Sequence, residues 1–339
     1  MKSGILIYSA NQGRINIGDY IQSLASLQFF DNKVDFYINR ERLDEYNDDS
    51  IKLIMNGWFT TEPNHWPPSS KIVPLFVAFH INSSAKDELL SDLGIKYLKE
   101  HSPIGCRDLD TTLLLKEKNI DSFFSGCLTL TLNKNYKSDL CSDKIYFVDA
   151  FSSTNKNLSS LISLCGLFIS KLPYVVKLTK KQFGIISFYN FRKTLSFYRE
   201  YSKHFTDSLL LEAEYIQHEL SDSLFSTEIE KFEFAKELLN KYAQAKLVVT
   251  SRIHSALPCL GLETPVIFVD NAQQHESSYC RLNGLRELFN LVDSVNGELN
   301  FRFDKGVEKI DKSFALKNKE DYKLLQLKLT EICERFIDK

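Results

Sequence analysis

An arginine and a histidine that stand one residue apart in the segment TSRIHSA are the residues best suited to chemistry in this sequence. They follow the apolar run KLVV, which predicts a buried strand, and we expect Ser255 to cap the helix that comes next. Arg252 offers a planar fork of N–H donors, and His254 titrates near neutral pH. Together with Ser251 and Ser255, at a strand end beside a helix N-terminus, they suit an anion. The structural alternative is that Arg252 pairs with a surface carboxylate and His254 fills a seam between domains.

A second arginine stands in a similar local setting in the segment IGCRDLDTT. The apolar residues before it predict a strand end, and Asp108 has the position of a helix N-cap. A basic side chain gains nothing from the dipole at a helix N-terminus, so helix stability does not explain Arg107. Arg107 is therefore a second candidate for anion binding.

The segment NIGDYIQSLA joins a small loop to an amphipathic helix. Asp19 and Gln22 have the spacing of a capping box, which would explain both residues without any function. Asn16 and Gly18 shape a tight loop at the carboxyl end of the first predicted strand. The dinucleotide fingerprint G-x-G-x-x-G is absent, so this loop is not a nucleotide-binding turn of that kind.

These segments need elements that bring strand ends together. Apolar runs such as GILIYSA, IKLIMNG and IVPLFVAF alternate with helical periodicity, which is typical of a parallel sheet covered on both faces. We predict an α/β fold class with two Rossmann-like domains, at residues 1–135 and 143–310, separated by the polar stretch NKNYKSDLCSD. A C-terminal helix is predicted over 320–338, packed back across the domains.

Composition agrees with such a protein and excludes other classes. The chain has 339 residues, 43% of them hydrophobic, which fits two domains at about 100–200 residues each. A formal net charge of -2 gives no attraction to nucleic acid as a whole, so we expect no nucleic-acid partner. The seven cysteines are scattered, and no His, Cys or Asp cluster has ligand spacing. We expect reduced thiols, no obligatory metal, no signal peptide and a cytoplasmic location.

The segments NIGDYIQSLA, GCRDLDTTLLL and VVTSRIHSALPCLGLETPVI, in this order and spacing, resemble the polysaccharide pyruvyltransferases. FFSGCLTLTL adds to the likeness, which spans roughly residues 1–290. The resemblance implies two Rossmann-like domains facing across a cleft, as in GT-B glycosyltransferases. It also implies transfer of the pyruvyl group of phosphoenolpyruvate onto two sugar hydroxyls, giving a cyclic ketal and phosphate, without a further cofactor.

The resemblance places Arg107, Arg252 and His254 at phosphoenolpyruvate and Asn16 and Asp19 across the cleft. Phosphoenolpyruvate has a phosphate and a carboxylate, which two arginines can bind. Ketal formation begins with protonation of the C3 carbon, and a protonated imidazole at His254 suits that step. Asp19 is the candidate for binding or deprotonating the acceptor hydroxyl, with Asn16 and Gly18 beside it.

Several residues depart from the family pattern or are left without a role. MNGWFT stands where many relatives have a glycine-rich turn, and Trp58 could stack on a sugar or pack in the core. His80 is a second candidate for the acceptor side, and the role of His218 is open. Cys127 stands where an acidic residue is common, and we interpret it as a buried, inert thiol.

Residues 170–205 combine eight Lys or Arg side chains with one acidic residue, Glu200, and with many aromatics. Such stretches bind anionic membrane surfaces or nucleic acid, and the slightly negative whole chain favours the membrane. The alternative is an excursion of the second domain whose aromatics fill its own core.

The sequence therefore predicts a pyruvyltransferase that acts on a sugar or lipid-linked oligosaccharide, a precursor of a cell-surface polysaccharide, in the cytoplasm or at the inner face of the membrane. Two rival functions stay open. One is a glycosyltransferase of the same architecture that uses a nucleotide sugar, and the other is a non-catalytic glycan-binding protein.

Overall fold

A computed structural model describes residues 1–150, 158–271 and 280–339, with the side chains of 158–170 left undescribed. The predicted domain 143–310 therefore includes stretches that lie outside the description. The strands are β1 (Lys2–Ile7), β2 (Arg14–Asn16), β3 (Phe36–Asn39), β4 (Ile51–Phe59), β5 (Ile72–Ile81), β6 (Ile104–Cys106), β7 (Ser122–Phe124), β8 (Ile145–Val148), β9 (Glu214–Ile216), β10 (Glu219–Ser221), β11 (Leu247–Thr250), β12 (Val266–Asp270), β13 (Asn290–Val295) and β14 (Glu298–Phe301).

The α-helices lie between these strands and after them. They are α1 (Ile17–Leu27), α2 (Lys86–Leu89), α3 (Asp92–Glu100), α4 (Leu109–Glu117), α5 (Asn133–Tyr136), α6 (Leu158–Phe183), α7 (Phe188–Tyr201), α8 (Asp207–Glu212), α9 (Glu228–Ala243), α10 (Ile253–Gly261) and α11 (Tyr322–Asp338). No helix in the described ranges is both long and apolar enough to span a bilayer.

Two large sheets form the framework. The first has the order β3-β1-β4-β5-β6-β7, and all its pairings are parallel. The second has the order β14-β13-β12-β11-β8-β9, with β14 as an antiparallel edge strand. Strands such as β4 and β12 are buried over almost their whole length because helices cover both faces. The predicted α/β class with parallel sheets is confirmed, whereas the domain limits and the GT-B arrangement stay predictions.

Direct backbone contacts join the two halves of the chain. β2 pairs with β10 in an antiparallel ribbon, and the Ile17 N–H donates to the His218 carbonyl at 2.9 Å. A Cβ atom on Gly18 would lie 2.8 Å from the Cβ of His254 and 3.3 Å from Nδ1 of His218. Only glycine permits this close approach, so Gly18 matters for packing at the junction as well as for its loop.

The helix starts differ in part from those expected. Asn16, not Asp19, is the N-cap of α1, since its side-chain oxygen accepts from the Gly18 N–H. The predicted capping box was therefore wrong, and Asp19 lies inside the first turn. Ser255 does not cap α10 either, because the helix already begins at Ile253. The predicted cap at Asp108 is confirmed by its hydrogen bond from the Thr111 N–H.

The predicted C-terminal helix is observed as α11, and it contacts both halves of the chain. The amide nitrogen of Gln326 donates to the carbonyl of Leu130 at 2.6 Å and lies 3.5 Å from that of Gly261. Lys52 Nζ donates to the carbonyl of Ile337. The helix therefore covers the first sheet while contacting the end of α10.

The basic and aromatic segment forms an antiparallel helical hairpin from α6 and α7. Thr194 donates to the Gln182 side chain at 2.8 Å, and the rings of Tyr174 and Tyr198 lie 4.8 Å apart. The aromatic residues in the second half of α7 are buried against the second sheet with Phe205, and they are Phe197, Tyr198 and Tyr201. That part of the segment is therefore core, as the alternative interpretation held.

Candidate active site

A cavity of about 500 Å³ lies where the carboxyl ends of the strands of both sheets meet the start of α1. Its walls come from the ends of β1, β4 and β6 on one side and of β11 and β12 on the other. Most of the predicted site residues line it, namely Asn16, Asp19, Trp58, Arg107, Ser251, Arg252 and His254. Gly18, His80 and Ser255 are buried and do not line it.

His254 and Asp19 adjoin each other inside this cavity. His254 Nδ1 lies 3.9 Å from Asp19 Oδ1, although the two residues come from the N-terminal turns of α10 and α1. The Gln22 amide nitrogen donates to Asp19 at 3.0 Å and lies 3.4 Å from His254 Nδ1. Gln22 thus links the two side chains. An amide N–H aimed at Nδ1 makes that atom an acceptor and leaves the imidazole proton on Nε2.

The His254 ring is a neutral base in the free protein. Burial, followed by the positive charges of Arg107 and Arg281, holds its pKa well below the usual range. Its Nε2 atom is buried and has no hydrogen-bond partner among the described residues. A donor of this kind is costly to leave unpaired, so the position suits a ligand acceptor.

The pKa of Asp19 is shifted upward, in the opposite direction to that of His254. Burial raises the pKa of its carboxyl group, and Glu41 adds to this, although Arg40 and Arg107 act to lower it. The net shift is upward. Since its N-cap role is taken by Asn16, Asp19 has no backbone capping bond that would explain a costly buried carboxylate.

Arg107 is a buried cation that lines the cavity. It follows β6, its own N–H donates to the Phe79 carbonyl at 2.9 Å, and only 3% of its surface is exposed. Its Nε atom is buried and has no hydrogen-bond partner within the described ranges. A buried guanidinium with an unused donor is a site for an anion such as carboxylate or phosphate.

Arg252 is already paired in this structure. Its Nε donates to Asp149 at 2.8 Å and an Nη atom donates to Glu219 at 2.9 Å. This is the carboxylate pairing of the structural alternative, although Arg252 also lines the cavity. Ser251 donates to the Asp149 carbonyl at 2.6 Å, so its hydroxyl is engaged too. Asp149, which sequence reasoning missed, therefore positions both residues.

Arg281 was missed as well, and it brings a further cation to the cavity. Desolvation of its guanidinium, then the charges of Arg107 and Arg252, lower its pKa, while the residue as a whole is exposed. It follows β12 along the chain, so the strand-end argument used for Arg107 and Arg252 could have suggested a residue near this place.

Arg40 and Trp58 stack on each other in the part of the cavity wall that belongs to the first sheet. The Arg40 guanidinium lies 5.1 Å from the Trp58 ring centroid and 4.8 Å from that of Tyr8. It donates to Glu41 at 2.7 Å. Burial acts to raise the pKa of Glu41, but Arg40 and the hydroxyls of two threonines outweigh it and lower the pKa to about 2. Arg40 directly follows β3, a strand end that sequence reasoning passed over.

The remaining candidates have structural partners. His80 Nδ1 donates to Asp108 at 2.6 Å, and burial with the charge of Arg107 lowers its pKa to about 4. His80 does not line the cavity, and its place on the acceptor side stays a prediction. His218 lines the cavity, but its Nε2 lies 2.7 Å from the Tyr242 hydroxyl. Burial raises the pKa of Cys127, which fits an inert thiol.

One group of three potential metal-ligating side chains is found in the described ranges, at Asp44, Glu45 and His65. None of them lines the cavity. An Nη atom of Arg42 lies 2.6 Å from His65 Nε2, so a cation already contacts this exposed cluster. A role in the cavity chemistry does not follow from it.

Comparison with known proteins adds the following similarities. A family model described as polysaccharide pyruvyl transferase matches residues 16–273. The chain is also similar to the crystal structure of an uncharacterised protein from Klebsiella pneumoniae subsp. pneumoniae NTUH-K2044. That similarity has 15% sequence identity and a TM-score of 0.41, over 83% of this chain and 87% of the other. No curated protein gives a significant match.

Proposed function

The chain belongs to the polysaccharide pyruvyl transferase family, and from this premise we propose that it transfers the pyruvyl group of phosphoenolpyruvate onto two hydroxyls of a sugar. Pyruvyl transfer onto polysaccharide is the activity of the family. The donor, the ketal product and the residue roles are our proposal. The observation that supports it best is the neutral His254, placed beside Asp19 under a group of cavity arginines.

The charges of the cavity suit phosphoenolpyruvate as donor. The molecule has a phosphate and a carboxylate, and Arg107 and Arg281 lie close enough together to depress the pKa of Arg281. An anion between them relieves that repulsion and satisfies the unused Nε of Arg107. Arg252 lines the same wall, where Asp149 and Glu219 hold its guanidinium in place and balance its charge.

The chemistry then runs through His254 and Asp19. Donor binding adds negative charge beside His254 and favours its protonated form, which donates a proton to C3 of the enolpyruvyl group. The resulting cation at C2 is attacked by one sugar hydroxyl. The second hydroxyl then displaces phosphate, so the two hydroxyl protons are balanced by one on C3 and one on phosphate. Asp19, 3.9 Å from Nδ1, stabilises the imidazolium and accepts a hydroxyl proton.

The acceptor would lie along the wall formed by Asn16, Asp19 and Trp58. Trp58 is partly exposed to the cavity, and its ring is covered on one side by Arg40.

We place the acceptor, a precursor of a cell-surface polysaccharide, at the cytoplasmic face of a membrane. The domains facing across the cavity would then form a GT-B-like arrangement, and turnover would need no divalent metal. Activity lost to a chelator and restored by one divalent ion would contradict that last point.

Ligand-dependent thermal stability separates this function from its rivals. Phosphoenolpyruvate alone should raise the melting temperature, because a ligand that binds only the native state stabilises it by RT ln(1 + [L]/Kd). A nucleotide sugar alone would do so for a glycosyltransferase, and neither donor would for a glycan-binding protein. Stabilisation by the nucleotide sugar and not by phosphoenolpyruvate would overturn the proposal.

His254→Asn tests the chemical step. The arginines and the helix N-terminus stay in place, so phosphoenolpyruvate should still bind. Acceptor-dependent phosphate release should fall by about 10²–10⁴-fold, since proton transfer is lost. His204→Asn is the matched control, because His204 lies against Phe301 and outside the cavity. Unchanged phosphate release in His254→Asn would assign the proton donor elsewhere.

A further inference from the structure

We infer that the end of the hairpin formed by α6 and α7 inserts into an anionic lipid surface. This end consists of the connecting turn and the first two residues of α7, residues 184–189, and is called the hairpin tip below. Every residue in it is exposed to solvent. It contains four large apolar or aromatic side chains, whose exposed fractions are 73% for Ile185, 52% for Ile186, 84% for Phe188 and 65% for Tyr189. These four apolar or aromatic side chains are thus concentrated at one projecting end of the hairpin.

Among the described residues of the hairpin, the exposure of large apolar and aromatic side chains is confined to the tip. Deeper in the same hairpin, Val175, Leu178 and Phe197 are buried in the core beneath the second sheet. The aromatic residues of the segment are therefore divided between a packed half and a projecting half. Packing in this chain's own core explains the first half, whereas the four large side chains at the tip are each more than half exposed to solvent. Side chains of this kind enter the interfacial region of a bilayer readily.

The charge around the tip favours anionic lipid. The sequence has no Asp or Glu from Ala150 to Arg199. Cations flank the tip on both helices, and those exposed to solvent include Lys177, Lys180, Lys181 and Arg192. Lys193 lies 4.6 Å from the Tyr189 ring. An apolar tip with cations behind it matches a bilayer, in which acyl chains lie beneath a negatively charged surface.

Nucleic acid fits these observations less well. Isoleucine side chains make no hydrogen bonds and do not stack on bases, so Ile185 and Ile186 would stay exposed in such a complex. The formal net charge of the chain is -2, which gives no general attraction to a polyanion. The observations therefore favour lipid as the partner.

A second cavity lies between the hairpin tip and the candidate active site. Its volume is about 430 Å³, and the hairpin contributes Phe183, Tyr189, Asn190 and Lys193 to its walls. Arg14, Ser251 and Arg252 line both this cavity and the first one. Resting here on the proposed function, we infer that a sugar on a lipid carrier enters from the membrane side along this second cavity.

Vesicle flotation tests the membrane contact directly. The full chain is mixed with vesicles of phosphatidylcholine alone or with one quarter phosphatidylglycerol. We expect binding to the anionic vesicles that decreases with salt. Ile185→Ser, Ile186→Ser and Phe188→Ser combined should weaken the partition by at least about tenfold. Leu324→Ser with Leu327→Ser is the matched control, since these exposed side chains lie on α11.

Lys180→Gln with Arg192→Gln separates the electrostatic part of the interaction. This variant should lose binding to anionic vesicles while keeping the apolar tip. Equal vesicle binding by the parent and the tip variant would overturn the inference. So would concentration-dependent dimerisation of the parent that the tip variant abolishes, without vesicle binding, because the tip would then contact a second copy of the chain.

The membrane inference and the proposed function can fail independently. Ile185, Ile186 and Phe188 line neither cavity, so the tip variant should release phosphate from phosphoenolpyruvate at the parental rate with a water-soluble acceptor. Absence of phosphate release from the parent would reject the pyruvyl donor and leave the vesicle result intact. Normal release with parental vesicle binding by the tip variant would reject the membrane contact alone.

Discussion

The Nδ1 atom of His254 lies 3.9 Å from the Oδ1 atom of Asp19, with the Gln22 amide bonded to Asp19 and close to the ring. From sequence, the two residues were expected on opposite sides of a cleft. Their contact means that neither can be changed without altering the electrostatic surroundings of the other. In the proposed mechanism, proton transfer to the donor and activation of the acceptor would therefore be coupled through this pair of side chains.

Phosphoenolpyruvate binding should take up a proton. The pKa of His254 is depressed in the free protein by burial and by cavity arginines, and a bound anion raises it. His254 has one pKa in the free protein and a higher one in the complex. At a pH between these two values the complex binds more protons than the free protein. The affinity for phosphoenolpyruvate should therefore increase as the pH falls through the pKa of His254 in the complex. Calorimetry in buffers of different ionisation enthalpy measures the uptake.

His254→Asn provides the control for that measurement. It removes the titrating ring, so the proton uptake that remains belongs to the ligand phosphate and to other groups. Equal uptake by the parent and His254→Asn would show that the imidazole stays neutral in the complex.

Asp19→Asn should stabilise the fold while reducing turnover. The folded pKa of Asp19 is raised by burial, so ionisation above the ordinary aspartate pKa costs folding free energy that the amide avoids. Because Asn16 is the cap, the substitution leaves the helix start intact. Denaturant unfolding at neutral pH measures the gain, which should disappear below the ordinary pKa.

Asp108→Asn should shift stability in the opposite direction. Burial acts to raise the pKa of Asp108, but its bond from His80 and the charge of Arg107 outweigh burial, so the net pKa is lowered. The ionised form therefore stabilises the fold above the ordinary pKa, and this contribution is lost as the pH falls. The variant should lose about 1.5–3 kcal/mol at neutral pH. If both Asp19→Asn and Asp108→Asn lose folding stability, the opposite pKa shifts assigned to the two carboxyl groups are wrong.

Arg107→Gln and Arg281→Gln should each weaken phosphoenolpyruvate binding by about 1.5–3 kcal/mol, the value of a charged hydrogen bond. Titration of the donor against each variant measures the change. Arg335→Gln on α11 is the control, since its exposed side chain pairs with Glu331 on the same helix and does not line the cavity. Arg252 should show a smaller effect on affinity, because Asp149 and Glu219 already neutralise it. Parental affinity in Arg281→Gln would remove that residue from the donor site.

Gly18→Ala should reduce turnover more than the size of a methyl group suggests. Its Cβ would lie 2.8 Å from the Cβ of His254 and 3.1 Å from the Asn16 side-chain oxygen. The side-chain and backbone shifts that accommodate this overpacking lower the free energy of unfolding by about 1–3 kcal/mol, and they move the imidazole relative to Asp19. Phosphate release and unfolding free energy, measured together, check this, and Ala25→Ser in the same helix is a control that adds one buried atom away from the cavity. Parental turnover would show that the junction can adjust.

The sequence determined the elements, and it placed most of the predicted site residues where the cavity forms. Apolar strand runs and helical periodicity are local patterns, so they predicted the parallel α/β class. The rule that ligands bind at carboxyl strand ends was enough to select Arg107, Arg252 and His254. Missed cations such as Arg281 and Arg40 also follow strands, but many surface arginines do so, and nothing local distinguishes them.

Tertiary structure decided which of these side chains work together. Whether Asp19 caps its helix depends on where the first turn begins, and the contact of Ile17 with His218, far along the chain, helps fix that start. Pairing of Arg252 with Asp149 and the depressed pKa of His254 depend on burial and on charges brought together from distant segments. Local sequence determines backbone preferences, whereas desolvation and charge proximity exist only once the chain is packed.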